Sequence, residues 1–323
     1  MKFIKKHWYK VVNIVLAVTL SVYVLCVGIK KAKDYEVYKK PSIETKVYTV
    51  WHVETFEGGG KSRIMYLNKI AKSIEKANSG ILFAVKQIAP EKLTTLVKDN
   101  CADIISFGFG VGETILPFLT ELDNTYEVRD NLVESGSFNN KLYALPYIMS
   151  GYALITHNEE TENFHCGENS YTKPSEIYTT LNKKPVEKES QYEAYKDFVN
   201  NKHVTLLGTA RDVFRVNNLN SLGRTNANIL PVSNYTDLIQ YIGLTKSDKI
   251  TNLFLSLALN NENQSSLVEY SLFSSRLNKI YSDGIYSTME DAIFNANIPK
   301  VFNEIFWWKF IFKKWKFKKI LHF

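Results

Sequence analysis

Cysteine is scarce in this chain. Three occur in 323 residues, at Cys26, Cys101 and Cys166, too few for the disulfide framework that staples a small secreted domain. Cys26 lies in an apolar run, and the spacing does not decide whether Cys101 and Cys166 pair. No Cys-x-x-Cys occurs, which argues against a zinc or dithiol redox site. The six histidines are scattered, without a His-Glu-x-x-His. His165 beside Cys166 looks like a ligand pair, but sequence neighbours rarely point at one metal, and a loop pair is the plainer reading. Neither a Gly-x-Ser-x-Gly nor a spaced pair of carboxylates nominates a nucleophile or an acid and base. These absences count against an enzyme, and they imply no metal and no cofactor.

Acidic residues are missing from both ends. Residues 1–31 and 305–323 each hold six lysines and no acid. The formal charge of +7 therefore belongs to the termini, and the middle carries a small negative excess. A polyanion footprint on the folded body is thereby excluded, and no nucleic-acid partner is expected. Hydrophobic content of 45% and charged content of 23% are those of a folded globular protein, with chain enough for one or two domains.

From Val11 to Ile29 no charge appears. A helix of that length rises about 28 Å, close to the thickness of a bilayer's hydrocarbon core. Lys2, Lys5, Lys6 and Lys10 precede it, with Trp8 and Tyr9 where interfacial aromatics belong. A cleaved signal peptide is the rival reading. No small-x-small site follows the run, and Tyr23-Val24-Leu25 before Cys26 lacks the small residues of a lipoprotein processing site. The expectation is an uncleaved anchor over 1–33, a polar stalk over 34–45, and a single-pass protein of the cell membrane whose body lies outside the cytoplasm.

The body opens with alternating elements. Lys46 to Val53 reads as a strand, Ile64, Leu67, Ile70, Ala71 and Ile74 as one helix face, and Ile81 to Ile88 as a second strand. Pro90 opens a helix, and Ala102 to Phe107 is a third strand. Such alternation predicts an α/β fold with a parallel sheet, whose ligands gather at the carboxyl ends of the strands. Leu142–Tyr147, Tyr152–His157 and Val204–Leu207 read as further strands, the stretch from Thr161 to Asn201 carries little signal, and the pattern after Leu244 is helical. No internal repeat is visible.

Thr55-Phe56-Glu57-Gly58-Gly59-Gly60-Lys61-Ser62 comes close to a phosphate-binding P-loop. Thr55 stands where the first glycine is needed, and Glu57 would face the phosphates. Nucleotide binding is therefore rejected. What remains is a glycine turn before a helix N-terminus, able to grip solute oxygens or simply to permit packing.

Taken in order, Trp51-His52-Val53-Glu54-Thr55-Phe56-Glu57-Gly58-Gly59, Asp103-Ile104-Ile105-Ser106-Phe107-Gly108, Tyr143-Ala144-Leu145-Pro146-Tyr147 with Gly151-Tyr152, and Gly208-Thr209-Ala210-Arg211-Asp212-Val213-Phe214-Arg215 resemble the extracellular solute-binding proteins of ABC importers, in the carbohydrate-type group with the type II periplasmic-binding fold. Tyr235 to Ile242 extends the likeness, which spans roughly 46–302. The resemblance implies two hinged α/β lobes, the first from 46–112 plus 241–304 and the second from 113–240. It implies a sugar or oligosaccharide as solute and ABC permease subunits as partners. By position it nominates Trp51, His52, Glu57, Gly58, Gly59 and Phe107 from one lobe, and Tyr147, Tyr152, Arg211 and Asp212 from the other. A membrane-anchored sensor or interaction module on the same fold is the alternative. The last segment, 305–323, mixes eight aromatics with its six lysines, a composition suited to a lipid interface or to the permease.

Overall fold

The computed structural model describes residues 2–37, 45–99, 101–123, 125–157, 163–181 and 184–302. The basic aromatic segment 305–323 lies outside them. Two compact units divide the chain between Lys46 and Val47.

The first unit is a helix, α1 (Lys2–Val37). Its segment Lys10–Lys31 is long and apolar enough to cross a membrane, and none of it is buried. Val11, Leu16, Leu20 and Val24 are each more than half exposed, so the helix is apolar all round rather than along one stripe. Thr19 and Ser21 donate their hydroxyls to the carbonyls of Val15 and Ala17, at 2.7 and 2.8 Å, so neither needs water. The helix runs on through Asp34–Val37, the first residues of the expected stalk.

The body begins with β1 (Lys46–Val53), α2 (Arg63–Ala77), β2 (Ile81–Ile88), α3 (Pro90–Asp99) and β3 (Ile104–Gly108). After β3 come α4 (Gly112–Ile115), α5 (Asp130–Ser135), a hairpin of β4 (Ser137–Phe138) and β5 (Lys141–Leu142), and β6 (Leu145–Met149). A second group follows: β7 (Tyr152–Thr156), β8 (Asn163–Glu168), α6 (Ser175–Leu181), β9 (Lys184–Ser190), α7 (Gln191–Val199), β10 (Thr205–Thr209), α8 (Ala210–Ser221) and β11 (Asn228–Pro231). Then β12 (Ile239–Leu244), α9 (Lys249–Leu259), α10 (Asn261–Ser265), β13 (Phe273–Ser274) and α11 (Gly284–Phe294) return to the first group.

Two sheets result, ordered β13-β6-β12-β3-β1-β2 and β11-β7-β10-β8-β9. In the first, β1 is parallel to β3 and β12 runs antiparallel beside it. In the second, β8 is parallel to both β9 and β10, and β7 runs antiparallel beside β10. The order β2-β1-β3-β12 is thus repeated as β9-β8-β10-β7. Each sheet is one lobe, and the architecture contains the repeat that the sequence hides.

The boundary between lobes differs from the expected one. The stretch 113–149 was assigned to the second lobe, yet β6 pairs with β12 and β13 in the first sheet. The chain crosses at Ser150–Gly151 and returns over 232–238. The two crossings are hydrogen-bonded together: Ser150 N–H to Leu238 O at 2.8 Å, and Val232 N–H to Tyr152 O at 2.9 Å. The stretch 161–201, unreadable by pattern, supplies β8, α6, β9 and α7. His165 and Cys166 are consecutive residues of β8 rather than a loop pair, so their side chains point to opposite faces. No disulfide joins Cys101 and Cys166.

Helix α2 shows why the first lobe is firm. Tyr66, Leu67, Ile70, Ala71 and Ile74 form its buried face, and the Tyr66 hydroxyl donates to Ala258 O of α9 at 2.7 Å. Asn78 ends the helix by bonding Ile74 O through both its backbone and its side chain.

Candidate functional site

Strand β1 stops at Val53, and nine residues lead to α2. The first residue of that helix, Arg63, is fully buried. Its guanidinium donates to Glu54 Oε1 at 2.7 Å and to Phe56 O, and lies 4.1 Å from the centroid of the Phe56 ring. A cation over an aromatic face is attractive, so Arg63 fixes the loop from beneath and aims Phe56 away from its own sheet. Phe56 is 3% exposed. It packs into the apolar cluster of Tyr152, Phe164, Leu207, Tyr235 and Leu238, residues of the second lobe and of the returning crossing.

Helix α8 faces the same loop. Its N-terminus is closed by a capping box, in which the Asp212 carboxylate accepts Thr209 N–H at 3.0 Å. Arg211, in the first turn, donates through Nη1 to Gly59 O at 2.9 Å and Gly60 O at 2.8 Å. Arg215, one turn later, pairs with Asp212 at 3.1 Å and with Glu57 at 3.3 Å. Asn169, after β8, donates to Thr55 O at 2.8 Å, and the Tyr171 hydroxyl donates to Glu91 at 3.0 Å. Loop 54–62 therefore touches the second lobe through a ring, three carbonyls and a carboxylate.

Of the residues that the sequence nominated, six meet at this seam. Glu57, Gly58, Gly59 and Arg211 stand on it. Tyr152 walls the Phe56 cluster and donates its hydroxyl to Asp237 at 2.8 Å. Asp212 is 1% exposed, holding the helix cap and Arg215; burial pushes its carboxyl up to about 6 against the pull of those partners. The other four lie buried in strands β1, β3 and β6 of the first sheet. His52, Phe107 and Tyr147 are fully buried and Trp51 nearly so. The physical reason is that β3, β6 and the last four residues of β1 are covered on both faces, so alternation along them leads into core either way.

His52, Ser106 and Tyr147 form a polar knot inside the first lobe. Ser106 Oγ is 3.0 Å from His52 Nδ1 and 2.8 Å from the Tyr147 hydroxyl, and Gln240 Nε2 donates to it at 2.9 Å. A serine beside a histidine suggests a nucleophile and its base. Here burial and the nearby Arg63 push the imidazole down to about 3, and no substrate reaches it. The knot orders the interior.

Two open spaces adjoin the seam. A recess of about 280 Å³ is lined by Cys166, Asn169, Thr172, Lys173, Ser175 and Tyr178 among others. Next to it, a gap of about 10 Å³ reaches Phe56, Thr209 and Leu238. The recess is near the lower size limit of small-molecule sites and is rich in hydroxyl and amide groups. Among the described residues no cluster of His, Cys, Asp or Glu is arranged to hold a metal ion.

The sequence matches no family model, and comparison with curated proteins returns no match. Solved structures do match. The GacH receptor of Streptomyces glaucescens, described unliganded and with acarbose, superposes with a TM-score of 0.57 at 10% identity, over 80% of this chain and 88% of that one. The fold is that of a type II periplasmic binding protein. The cyclic α-maltosyl-1,6-maltose binding protein of Arthrobacter globiformis gives 0.53 at 10% identity, covering 79% and 89%. A protein described as a two-component system component mediating signal transduction gives 0.54 at 13% identity, covering 78% and 94%. In this chain loop 54–62 of the first lobe faces Asn169 and the start of α8 in the second.

Phe56, Arg63, Asn169 and Arg215 were not nominated singly, although Phe56 lies within the nominated loop. Phe56 is the bridge between lobes, and a large apolar side chain inside a glycine-rich loop was a signal that it must be buried elsewhere. Asn169 carried no signal beyond its polarity.

Proposed function

We propose that this chain is a membrane-tethered receptor that captures a small solute between its lobes and presents it to the permease of an ATP-driven importer. A sugar is the favoured solute, since both the GacH receptor and the maltosyl-maltose binding protein are carbohydrate binders on this fold. The observation that carries the reading is the pair of hydrogen-bonded crossings joining two sheets of repeated order. Two rigid lobes on such a hinge can close over a solute, and the closed form is what a permease can sense. No bond need be made or broken, so the reading is not enzymatic. Glu57, the glycine loop, Tyr152 and Arg211 are the groups proposed to meet the solute or the opposite lobe.

A thermal-shift screen of the full chain in detergent tests this. Sugars, oligosaccharides, amino acids and phosphate esters are the panel. A solute present at a hundred times its Kd adds about 2.7 kcal/mol to stability, so a rise of several degrees is expected for at least one carbohydrate. Unchanged melting across the panel would remove the reading.

The likeness to a signal-transduction protein favours a second reading, a membrane-anchored sensor without transport. Purification with its partners separates the two: permease subunits support the first, a kinase the second.

The anchor has its own test. Alkaline carbonate extraction of membranes is expected to leave the chain in the pellet, with Met1 or Lys2 at its N-terminus by mass. A shortened chain in the supernatant would assign α1 to a cleaved signal instead.

A further inference from the structure

Loop 54–62 fills the seam between the lobes with groups that a solute could replace, an apolar ring and carbonyl oxygens. The Phe56 ring fills a seat made by Tyr152, Leu207, Tyr235 and Leu238. Around the rim, Asn169 takes the carbonyl of Thr55, and Arg211 takes those of Gly59 and Gly60. All three acceptors are neutral backbone oxygens. Among the described residues Arg211 makes no ion pair with a carboxylate; Glu57 is held by Arg215 instead. A guanidinium served only by neutral carbonyls exchanges readily for hydroxyl or carboxylate oxygens, which bond to it at least as well.

We propose that the loop is a built-in competitor of the solute: Phe56 and its neighbouring carbonyls hold the two lobes together, and the solute enters by displacing them. The proposal rests on the solute-binding reading and narrows its ligand. The displacing molecule carries a ring with an apolar face, to replace Phe56, and at least two acceptor oxygens, to satisfy Arg211 and Asn169. Pyranoses and small aromatic acids share that chemistry. The recess beside Tyr178 is its way in, because the gap beyond it ends at Phe56. Arg63, which binds Phe56 O and stacks on its ring, is the spring that returns the loop. Binding is then weaker than the seat allows, since only the fraction of molecules with the loop withdrawn is competent.

The test uses the full chain in detergent, with a fluorophore pair at the exposed positions Lys72 on α2 and Lys196 on α7, and single-molecule energy transfer as the readout. With no solute added, the wild-type chain is expected to show one short-distance population. Phe56→Ala, and separately the double change Arg211→Gln with Asn169→Ala, are expected to move most molecules to a longer distance. The second variant alters partly exposed groups and guards against a folding failure of the first. Titration calorimetry with D-glucose, D-glucuronate and 3-phenylpropionate completes the test. At least one probe is expected to bind Phe56→Ala tenfold or more tightly than wild type, and which probe does so assigns the pyranose or the aromatic acid. A wild-type chain already open, or a probe that binds wild type and Phe56→Ala with equal affinity, would overturn the built-in competitor and leave solute binding intact. Opening of both variants with no probe bound supports the competitor while counting against these solutes.

Discussion

Adding one methyl group at Gly59 is expected to destabilise the body by about 3–4 kcal/mol, whereas the same change at Gly223 should cost about 1–2 kcal/mol. Both residues have φ +67°, so both substitutions carry the penalty for placing an L side chain in the left-handed region. Only the surroundings differ. A Cβ at Gly223 meets nothing within 4 Å, but at Gly59 it would stand 2.0 Å from the carbonyl oxygen of Tyr270 and 2.7 Å from Leu272 Cγ. That oxygen is backbone and cannot rotate aside. It also accepts Gly60 N–H at 2.6 Å, and the Tyr270 ring is held edge-on to Tyr66, with centroids 5.9 Å apart. Relief of the clash must therefore pull the loop away from Tyr270 and forfeit a hydrogen bond, worth about 1 kcal/mol. For a body of this size the difference appears as a fall in Tm of roughly 6–12 °C for Gly59→Ala against about 2–5 °C for Gly223→Ala. Equal losses would mean that the Tyr270 contact contributes nothing. The Gly59 and Gly60 carbonyls are also the acceptors of Arg211, so the strained loop should loosen its hold on the second lobe.

The first lobe was largely legible because its central strands and helices each satisfy one simple condition. Strand β3 is covered on both faces and so reads as an apolar run; β1 is rich in β-branched and aromatic residues; α2 buries one face at helical spacing; Pro90 marks the start of α3. The second lobe fails those conditions. Strand β9 lies at the edge of its sheet, α6 and α7 are too short for a period to emerge, and β8 mixes polar with apolar residues. One local signal was present and passed over: Ser190 and Glu193 form the capping box that opens α7. Asp212, nominated only by its place in the resemblance, caps α8 and pairs with Arg215. The lobe to which β6 belongs is not a local property at all. It depends on where the chain crosses, which only the pairing with β12 reveals. The repeat of strand order escaped for the same reason, because topology constrains hydrogen-bonded order and leaves the side chains free. For the site, aromatic residues at strand ends were a fair guess, but burial on both faces took Trp51, His52, Phe107 and Tyr147 into the interior.

The acid response of this protein is expected to be set by two buried groups working against each other. His52 is neutral in the fold, pushed down to about 3 by burial and by Arg63, while its unfolded value is about 6.5. Between those values the unfolded chain holds a proton that the fold refuses, so stability falls as pH falls through that window, by about 1.4 kcal/mol per pH unit. Asp212 acts in the opposite sense. Burial raises its carboxyl from 3.8 to about 6, so between those values the fold holds a proton that the unfolded chain releases, and stability rises as pH falls, with the same slope. From about pH 6 to pH 4 the two slopes cancel. Asp237 and Glu290, also raised by burial, add to the sense of Asp212. The wild-type chain should therefore hold or gain stability as pH falls over that range. Asp212→Asn removes one side of the balance while keeping an acceptor for Thr209 N–H. Its stability relative to wild type should drop by about 2 kcal/mol between pH 6 and pH 4.5. His52→Gln removes the other side, and its relative stability should rise over the same interval by a similar amount. Urea denaturation of the three chains at half-unit pH steps measures all of this. Parallel curves for wild type and Asp212→Asn would show that the carboxyl is ionised in the fold down to ordinary carboxylate values, with Arg215 and the helix cap outweighing burial. Only Asp237 and Glu290 would then offset the loss of stability that mild acid causes through His52.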